Sequence, residues 1–319
     1  MLHPSKGVVG PSMKRFPGNP ILKPNPLSPW EARQVFNAGA LYEGGKVHIL
    51  YRAIGHDQVS RLGYASSYDG LYIAERLEKP VFEPLTPEEC DGCEDPRLTK
   101  CEDGLVYMTY TAVADIVYGR FQVGLTHISP RDLVEKRWRW GSRSYPFPGV
   151  KDKDAAILPR KINGLYALIH RIDPDICISY SSDLRNWCGL KAIMSPRPGM
   201  WDNLKIGIGP PPIEVSEGWL MVYHGVDMNK VYRLGIAILD KEHPENVIYR
   251  CEKPILEPEE EYERFGYVPN VVFSCGAVLI DGQLLIYYGG ADTTVNLAIY
   301  DIAELIPSRL EEPIVVKEP

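Results

Sequence analysis

Five times along the chain a strand-like run meets a tight glycine turn and returns as a second apolar run. The five segments read FNAGALYEGGKVHILYRA, PRLTKCEDGLVYMTYTA, AAILPRKINGLYALIHR, PPIEVSEGWLMVYHGV and GAVLIDGQLLIYYGG. Their turn glycines, Gly45, Gly104, Gly164, Gly218 and Gly282, stand 59, 60, 54 and 64 residues apart. Asn-Gly and Asp-Gly turns take up positive φ, which matches the twist of the flanking strands. A third run follows each hairpin (RLGYASSYDG, FQVGLTHIS, DICISYSSD, RLGIAILD, VNLAIYDIAEL), and a weaker fourth usually comes next, as in YRCEKPILEP. Three to four antiparallel strands repeated five times predict an all-β, five-bladed β-propeller. We expect a single domain over residues 1–319, with residues 1–18 as an N-terminal extension. A two-domain sandwich would hold the same strands but would not account for so even a spacing. Brief helical character is expected only at Trp30–Gln34 and Ile302–Leu310.

The formal net charge of −7 argues against a nucleic-acid partner, which needs a basic stripe, and confines any anion site to a local pocket. No apolar run approaches the ~18 residues that span a bilayer, so no membrane partner is expected. Met1–Lys14 lacks the apolar core of a secretory leader, which points to a cytoplasmic protein. The seven cysteines are odd in number. Cys90 and Cys93 form a lone C-x-x-C near Cys101, without the second pair that a structural zinc site wants. They are read as reduced thiols, with no metal. The N-terminal extension and exposed aromatics would permit a homo-oligomer.

In an antiparallel hairpin the start of the first strand and the end of the second share one edge, and in a propeller that edge is one face of the disc. The residues at that edge are Asn37 and Arg52 in the first blade, Glu94-Asp95-Pro96-Arg97 in the second, and Lys153-Asp154 with His170-Arg171 in the third. The fourth contributes Lys205 and His224, and the fifth Asn270 and Asp292. Each alone could be a solvated loop charge, but recurrence in all five blades predicts a polar small-molecule site around the axis.

At these residues the chain resembles glycoside hydrolase family 130, the β-mannoside phosphorylases and mannosidases. The resemblance is carried by V-F-N-A-G at Val35–Gly39, E-D-P-R at Glu94–Arg97, L-P-R-K-I-N-G-L-Y at Leu158–Tyr166 and L-K-I-G-I-G-P-P-P at Leu204–Pro212. S-E-G-W-L-M-V-Y-H-G at Ser216–Gly225, G-Y-V-P-N-V-V-F at Gly266–Phe273 and Y-Y-G-G-A-D at Tyr287–Asp292 extend it from about Asn19 to Leu305. That family is known for a five-bladed propeller.

The resemblance implies inverting phosphorolysis of β-mannosides, with β-1,2-linked manno-oligosaccharides as the expected substrates and α-mannose 1-phosphate as product. Inorganic phosphate would be a co-substrate and no cofactor is expected. Asp95 matches the family's general acid, which protonates the leaving oxygen, in this family through a hydroxyl of the sugar. Read alone, E-D-P-R could equally be turn chemistry. Lys153, Arg171, Lys205, His224 and Tyr232 match the phosphate cradle. Lys153 stands where some members carry Arg, which keeps the charge and loses the planar fork. Asn37, Arg52 and Asp292 match the sugar site, with Asp154 assisting. Tyr110, Phe147, Trp201 and Tyr267 could stack on an acceptor sugar, although blade packing is the commoner use of such residues.

Two alternatives stand beside phosphorolysis. An inverting mannosidase would need a second carboxylate roughly 6.5–9.5 Å from the acid; Glu214 and Glu261 are available but lie outside the matched motifs. A non-catalytic glycan-binding propeller would bind sugar without turnover.

Overall fold

The computed structural model describes residues 13–306. Four of the five turn glycines bend their hairpins with the expected backbone: φ is 81° at Gly45, 83° at Gly104, 79° at Gly164 and 80° at Gly282, and Asn163 and Asp281 also lie at positive φ, whereas Gly218 is at 156°. The hairpins grow into five blades. Blade one is Gln34–Glu43, Lys46–Ile54, Ser60–Ser67 and the short Glu75–Arg76. Blade two is Gly92–Lys100, Val106–Asp115 and Arg120–Ile128, with Ser144 bridging Leu125 outside it. Blade three is Lys153–Ile157, Tyr166–Ile172, Asp175–Ser181 and Cys188–Met194. Blade four is Lys205–Ile208, Trp219–Val226, Tyr232–Leu239 and Val247–Arg250, with Ile213–Glu214 beside Trp219.

Blade five is Val272–Ile280, Gln283–Gly290 and Thr294–Asp301, and its outermost strand comes from the other end of the chain: Lys14 pairs with Ile299 and Arg15 with Ala298. Of the segment read as an extension, residues 1–12 lie outside the described residues, while Lys14–Arg15 belongs to this sheet. Among the described residues the strands close no barrel; one parallel bridge, Ser60 to Gly92, links blades one and two. The helices are single turns at Pro29–Glu31, Pro87–Glu89, Pro130–Val134, Glu261–Arg264 and Ile302–Leu305. The expected helical turn at Trp30–Gln34 overlaps Pro29–Glu31, that at Ile302–Leu310 is seen at Ile302–Leu305 with residues 307–310 outside the described residues, and the other three lack a signal long enough to read.

Alternation of side chains along each strand gives every blade two apolar faces, so the core is divided among the spaces between blades. Leu50, Leu62, Leu98 and Met108 fill the space between blades one and two. Val123, Leu125, Ile157 and Leu168 lie between two and three. The largest cluster joins blades three, four and five around Trp219, Tyr223, Ile236 and Ile286. Blades five and one meet through Val35, Tyr51, Tyr287 and Val295.

Two irregularities recur and place the functional residues. In blades one to three the innermost strand carries a bulge in which two residues face one. Asn37-Ala38 stand opposite Tyr51, Asp95-Pro96 opposite Tyr110, and Asp154-Ala155 opposite His170. The first residue of each bulge is left-handed, with φ of 46°, 52° and 50°, a conformation that Asn and Asp tolerate better than most residues.

The second recurrence is a buried strut. In every blade a carboxylate preceding the innermost strand bonds an aromatic side chain on the second strand: Glu31 with Tyr51 (2.9 Å), Glu89 with Tyr110, Asp152 with His170 (2.6 Å), Asp202 with Tyr223 (2.9 Å) and Glu263 with Tyr288 (2.7 Å). In four blades an arginine from the outer part of the blade completes the strut: Arg76, Arg143, Arg250 and Arg15 donate to Glu31, Glu89, Asp202 and Glu263. All five carboxylates are buried, and a buried charge persists when it is paired and bonded in this way.

Candidate active site

The three left-handed residues project toward the axis from neighbouring blades and form the floor of the site. Asp95 is 4% exposed. Its Oδ1 accepts from Asn37 Nδ2 at 2.9 Å and from Arg52 at 3.4 Å. Among the described residues no hydrogen bond falls on Oδ2. Arg52 lies over the Phe36 ring and also donates to Glu94 at 2.5 Å, which Ser60 bonds at 3.0 Å. Burial pushes the Glu94 carboxyl up, against the pull of Arg52 and with the Asp95 charge adding to the rise.

Arg97 joins this half to the next. Its buried guanidinium donates to the carbonyls of Asp95 (3.1 Å), Ile208 (3.0 Å) and Gly209 (2.6 Å) and to Asp154 Oδ1 (3.3 Å). It thereby ties the left-handed peptide of Asp95 to blades three and four. Asp154 in turn pairs with Arg171 at 3.0 Å and lies 3.7 Å from His224 Nε2. Burial opposes its charge, yet the adjacent cations, Arg171 foremost, hold the carboxyl below the usual carboxylate range.

Lys153, Lys205 and Tyr232 stand less buried above this floor. Lys153 lies over Phe121 and Lys205 over Tyr232, and among the described residues neither lysine has a carboxylate within ion-pair distance. Burial, helped by the like charge of Arg171, pushes Lys205 below its ordinary value. His224 is wholly buried between the Phe273 and Tyr232 rings, and neither ring nitrogen has a hydrogen-bond partner. Burial drives its proton affinity well below that of a free imidazole. Asp292 faces the Asp95 side, where burial, opposed by Arg52, pushes its carboxyl up to about 6.

Asn37, Arg52, Asp95, Asp154, Arg171 and His224 are thus linked, with Arg97, by hydrogen bonds and close charged contacts, while Lys153, Lys205, Tyr232 and Asp292 lie near enough to interact with these groups through their charge. Asn37, Arg52, Asp95 and Asp292 hold one side; Lys153, Arg171, Lys205, His224 and Tyr232 hold the other. Asp154 is engaged by Arg97 and Arg171 and lies near His224. Asn270 is exposed at the rim, and His170 turns away from the axis onto Asp152 and Ser179. Tyr110 and Trp201 are packing residues: one bonds Glu89, the other stacks on Tyr223 and donates to Glu252. Phe147 stacks on His170 at 4.7 Å, and Tyr267 is exposed. Glu214 pairs with Arg160, and Glu261 lies in a surface turn. Among the described residues no three His, Cys, Asp or Glu side chains gather as a metal site would require, and the cysteines are unbonded. No helix there is long and apolar enough to cross a membrane. Two surface clefts, of about 510 and 400 Å³, lie off the axis at the rims of blades four and one.

The reading from sequence missed the bridging role of Arg97 and all five strut carboxylates. A signal for the struts exists: carboxylate and aromatic stand 20, 21, 18, 21 and 25 residues apart in successive blades.

Comparison with known proteins gives a consistent picture. The family model of glycoside hydrolase family 130, described as beta-1,4-mannooligosaccharide phosphorylase, matches residues 12–309. A 1,2-beta-oligomannan phosphorylase of Thermoanaerobacter sp. (strain X514) is 43% identical over 300 residues, spanning 92% of this chain and 98% of that protein. A beta-1,2-mannobiose phosphorylase of the same organism is 45% identical over 302 residues, spanning 91% and 97%. The solved structure of the beta-1,2-mannobiose phosphorylase of Listeria innocua, in complex with beta-1,2-mannobiose, superposes with a TM-score of 0.80 at 27% identity. It covers 92% of this chain and 98% of its own.

Proposed function

Because this chain belongs to glycoside hydrolase family 130, we propose that it cleaves β-1,2-linked mannosides by inverting phosphorolysis, with Asp95 as the acid and the basic half of the site as the phosphate cradle. A phosphate oxygen attacks C1 of the mannosyl unit from the α face. The bond from C1 to the leaving oxygen breaks with its electron pair on that oxygen, which takes the proton supplied by Asp95. The products are α-mannose 1-phosphate and the shortened mannoside. Asn37 and Arg52 hold Oδ1 of Asp95 and orient Oδ2. Asp292 accepts from a sugar hydroxyl, and Arg52 reaches the same ring.

The observation that carries this reading is the excess of positive charge around Asp154. Asp154 is engaged by Arg97 and Arg171, while Lys153 and Lys205 keep unpaired charges beside it. A hydrolase would want a free carboxylate there to activate water. Unpaired, partly buried cations instead favour an anion as nucleophile, bonded by Arg171 through a planar fork and by the lysines as point charges. Tyr232 adds an O–H donor. His224 and Asp154 hold the cradle from beneath.

The test is product analysis of β-1,2-mannobiose incubated with and without phosphate. Phosphate-dependent release of α-mannose 1-phosphate is expected; free mannose as sole product in phosphate-free buffer would overturn the reading. Asp95→Asn should lower kcat by about 10²–10⁴-fold, the usual worth of a general acid, with little change in mannoside binding.

A further inference from the structure

Blade three departs from the strut built into the other four. Its carboxylate is Asp152, its aromatic is His170 instead of tyrosine, and among the described residues no arginine reaches the pair. Ser179 bonds the far ring nitrogen at 3.1 Å, and Phe147 covers the ring. Both members are wholly buried, and Asp152 Oδ1 has no hydrogen-bond partner.

The position of the pair is as informative as its composition. Asp152 immediately precedes Lys153, and His170 immediately precedes Arg171; Lys153 and Arg171 are also ladder partners. Between that ladder pair and the next, Ile169 with Ala156, lies the bulge that presents Asp154. Regular pairing is interrupted there, so backbone bonds alone fix the spacing of the two strands poorly. The 2.6 Å bond from His170 Nδ1 to Asp152 Oδ2 crosses the same gap on the opposite face of the sheet. It ties the segment carrying Lys153 and Asp154 to the strand carrying Arg171.

We infer that Asp152 and His170 are positioning residues for phosphate: their bond sets the separation of the Lys153 ammonium and the Arg171 guanidinium without either residue touching the ligand. This rests on the phosphorolytic reading above. A cradle displaced by an ångström loses much of its binding to a rigid tetrahedral anion, whereas the mannose side, held by Asn37, Arg52 and Asp292 from blades one and five, has no bond to this strut.

The test is a split of Michaelis constants. In Asp152→Ala and His170→Ala the KM for phosphate should rise about tenfold or more, while that for β-1,2-mannobiose stays within about twofold. His170→Asn, whose Nδ2 can stand in for Nδ1, should recover most of the phosphate affinity lost in His170→Ala. Tyr288→Phe breaks one bond of the strut in blade five and serves as the structural comparison: it should lower the melting temperature without raising the KM for phosphate. Equal rises in both KM values in Asp152→Ala, or no rise in a folded variant, overturn the inference. If Asp152→Ala does not fold, Asp152→Asn is judged by the same ratio. Lys153→Ala and Arg171→Ala separate the two levels. If they raise the phosphate KM and the strut variants do not, the inference fails alone; if they do not raise it, the cradle itself is wrong.

Discussion

Asp292 is asked to accept a sugar hydroxyl and to be buried beside Asp95 and Glu94, and these demands oppose each other. Its carboxyl is pushed up to about 6 from an ordinary 3.8. In the unfolded chain it loses its proton near 3.8, in the folded protein only near 6. Between those values the unfolded state sheds the proton first, so stability falls as pH rises through the window, and the full cost is present above it. Asp292→Asn should therefore stabilise the fold by about 1–3 kcal/mol at pH 8 and by less at pH 5, while weakening kcat/KM for the mannoside. Urea unfolding at the two pH values checks the first part; an unchanged or lowered stability at pH 8 would refute it. Lys205 carries the converse strain. Its proton is lost at lower pH than usual, so the phosphate KM should rise on the alkaline limb, and Lys205→Arg should move that limb to higher pH, because a guanidinium does not titrate there.

At the scale of the element, the bulges present the site and the close approach of backbones fixes them. A Cβ on Gly39 would lie 2.3 Å from the Pro96 carbonyl oxygen, so the first bulge nests against the second. Gly39→Ala must push Asn37 and Asp95 apart. It should cost about 1–3 kcal/mol, as overpacking does, and depress kcat more than mannoside KM, since the Asn37 bond to Asp95 is stretched; steady-state kinetics alongside thermal melts would show it. The hairpins themselves were legible because Asn-Gly and Asp-Gly encode their turns locally. The convergence of Asn37, Asp95, Asp154, Arg171 and Lys205 was legible too, because strand ends share an edge. The left-handed conformation of Asn37, Asp95 and Asp154 was not. It arises from a two-against-one mismatch with the partner strand, which no single segment of sequence contains. The strut carboxylates were hidden for a related reason: Glu31 and Glu89 end single helical turns and Asp202 sits in a loop, where an acidic residue is ordinarily solvated, and their burial depends on an arginine from the outer part of the blade.

For the whole molecule, a ring of blades is held only as firmly as its closure, and here one arginine carries much of it. Arg15 comes from the N-terminal strand, pairs through its backbone with Ala298, and sends its guanidinium to Glu263 at 2.8 and 3.0 Å. Glu263 is wholly buried, and it also accepts from Tyr288 and from the backbone of Glu259 and Glu260. Removing the arginine strands a buried carboxylate, a change that typically costs about 3–5 kcal/mol. Arg15→Met should lower stability by that order. Arg15→Met combined with Glu263→Gln should recover part of it, because the second change removes the uncompensated charge. The functional consequence should be one-sided. Blade five carries Asp292 but none of the cradle cations, so loosening the closure should raise the mannoside KM before it disturbs phosphate, the reverse of the pattern expected for Asp152 and His170. A double-mutant cycle in stability, run beside the two KM values, tests both halves. Strict additivity of the two substitutions would show that Arg15 and Glu263 do not act as a pair, and closure would then rest on the two-residue strand, the Leu22 bridge to Val295 and the Asn19 bonds to Leu297.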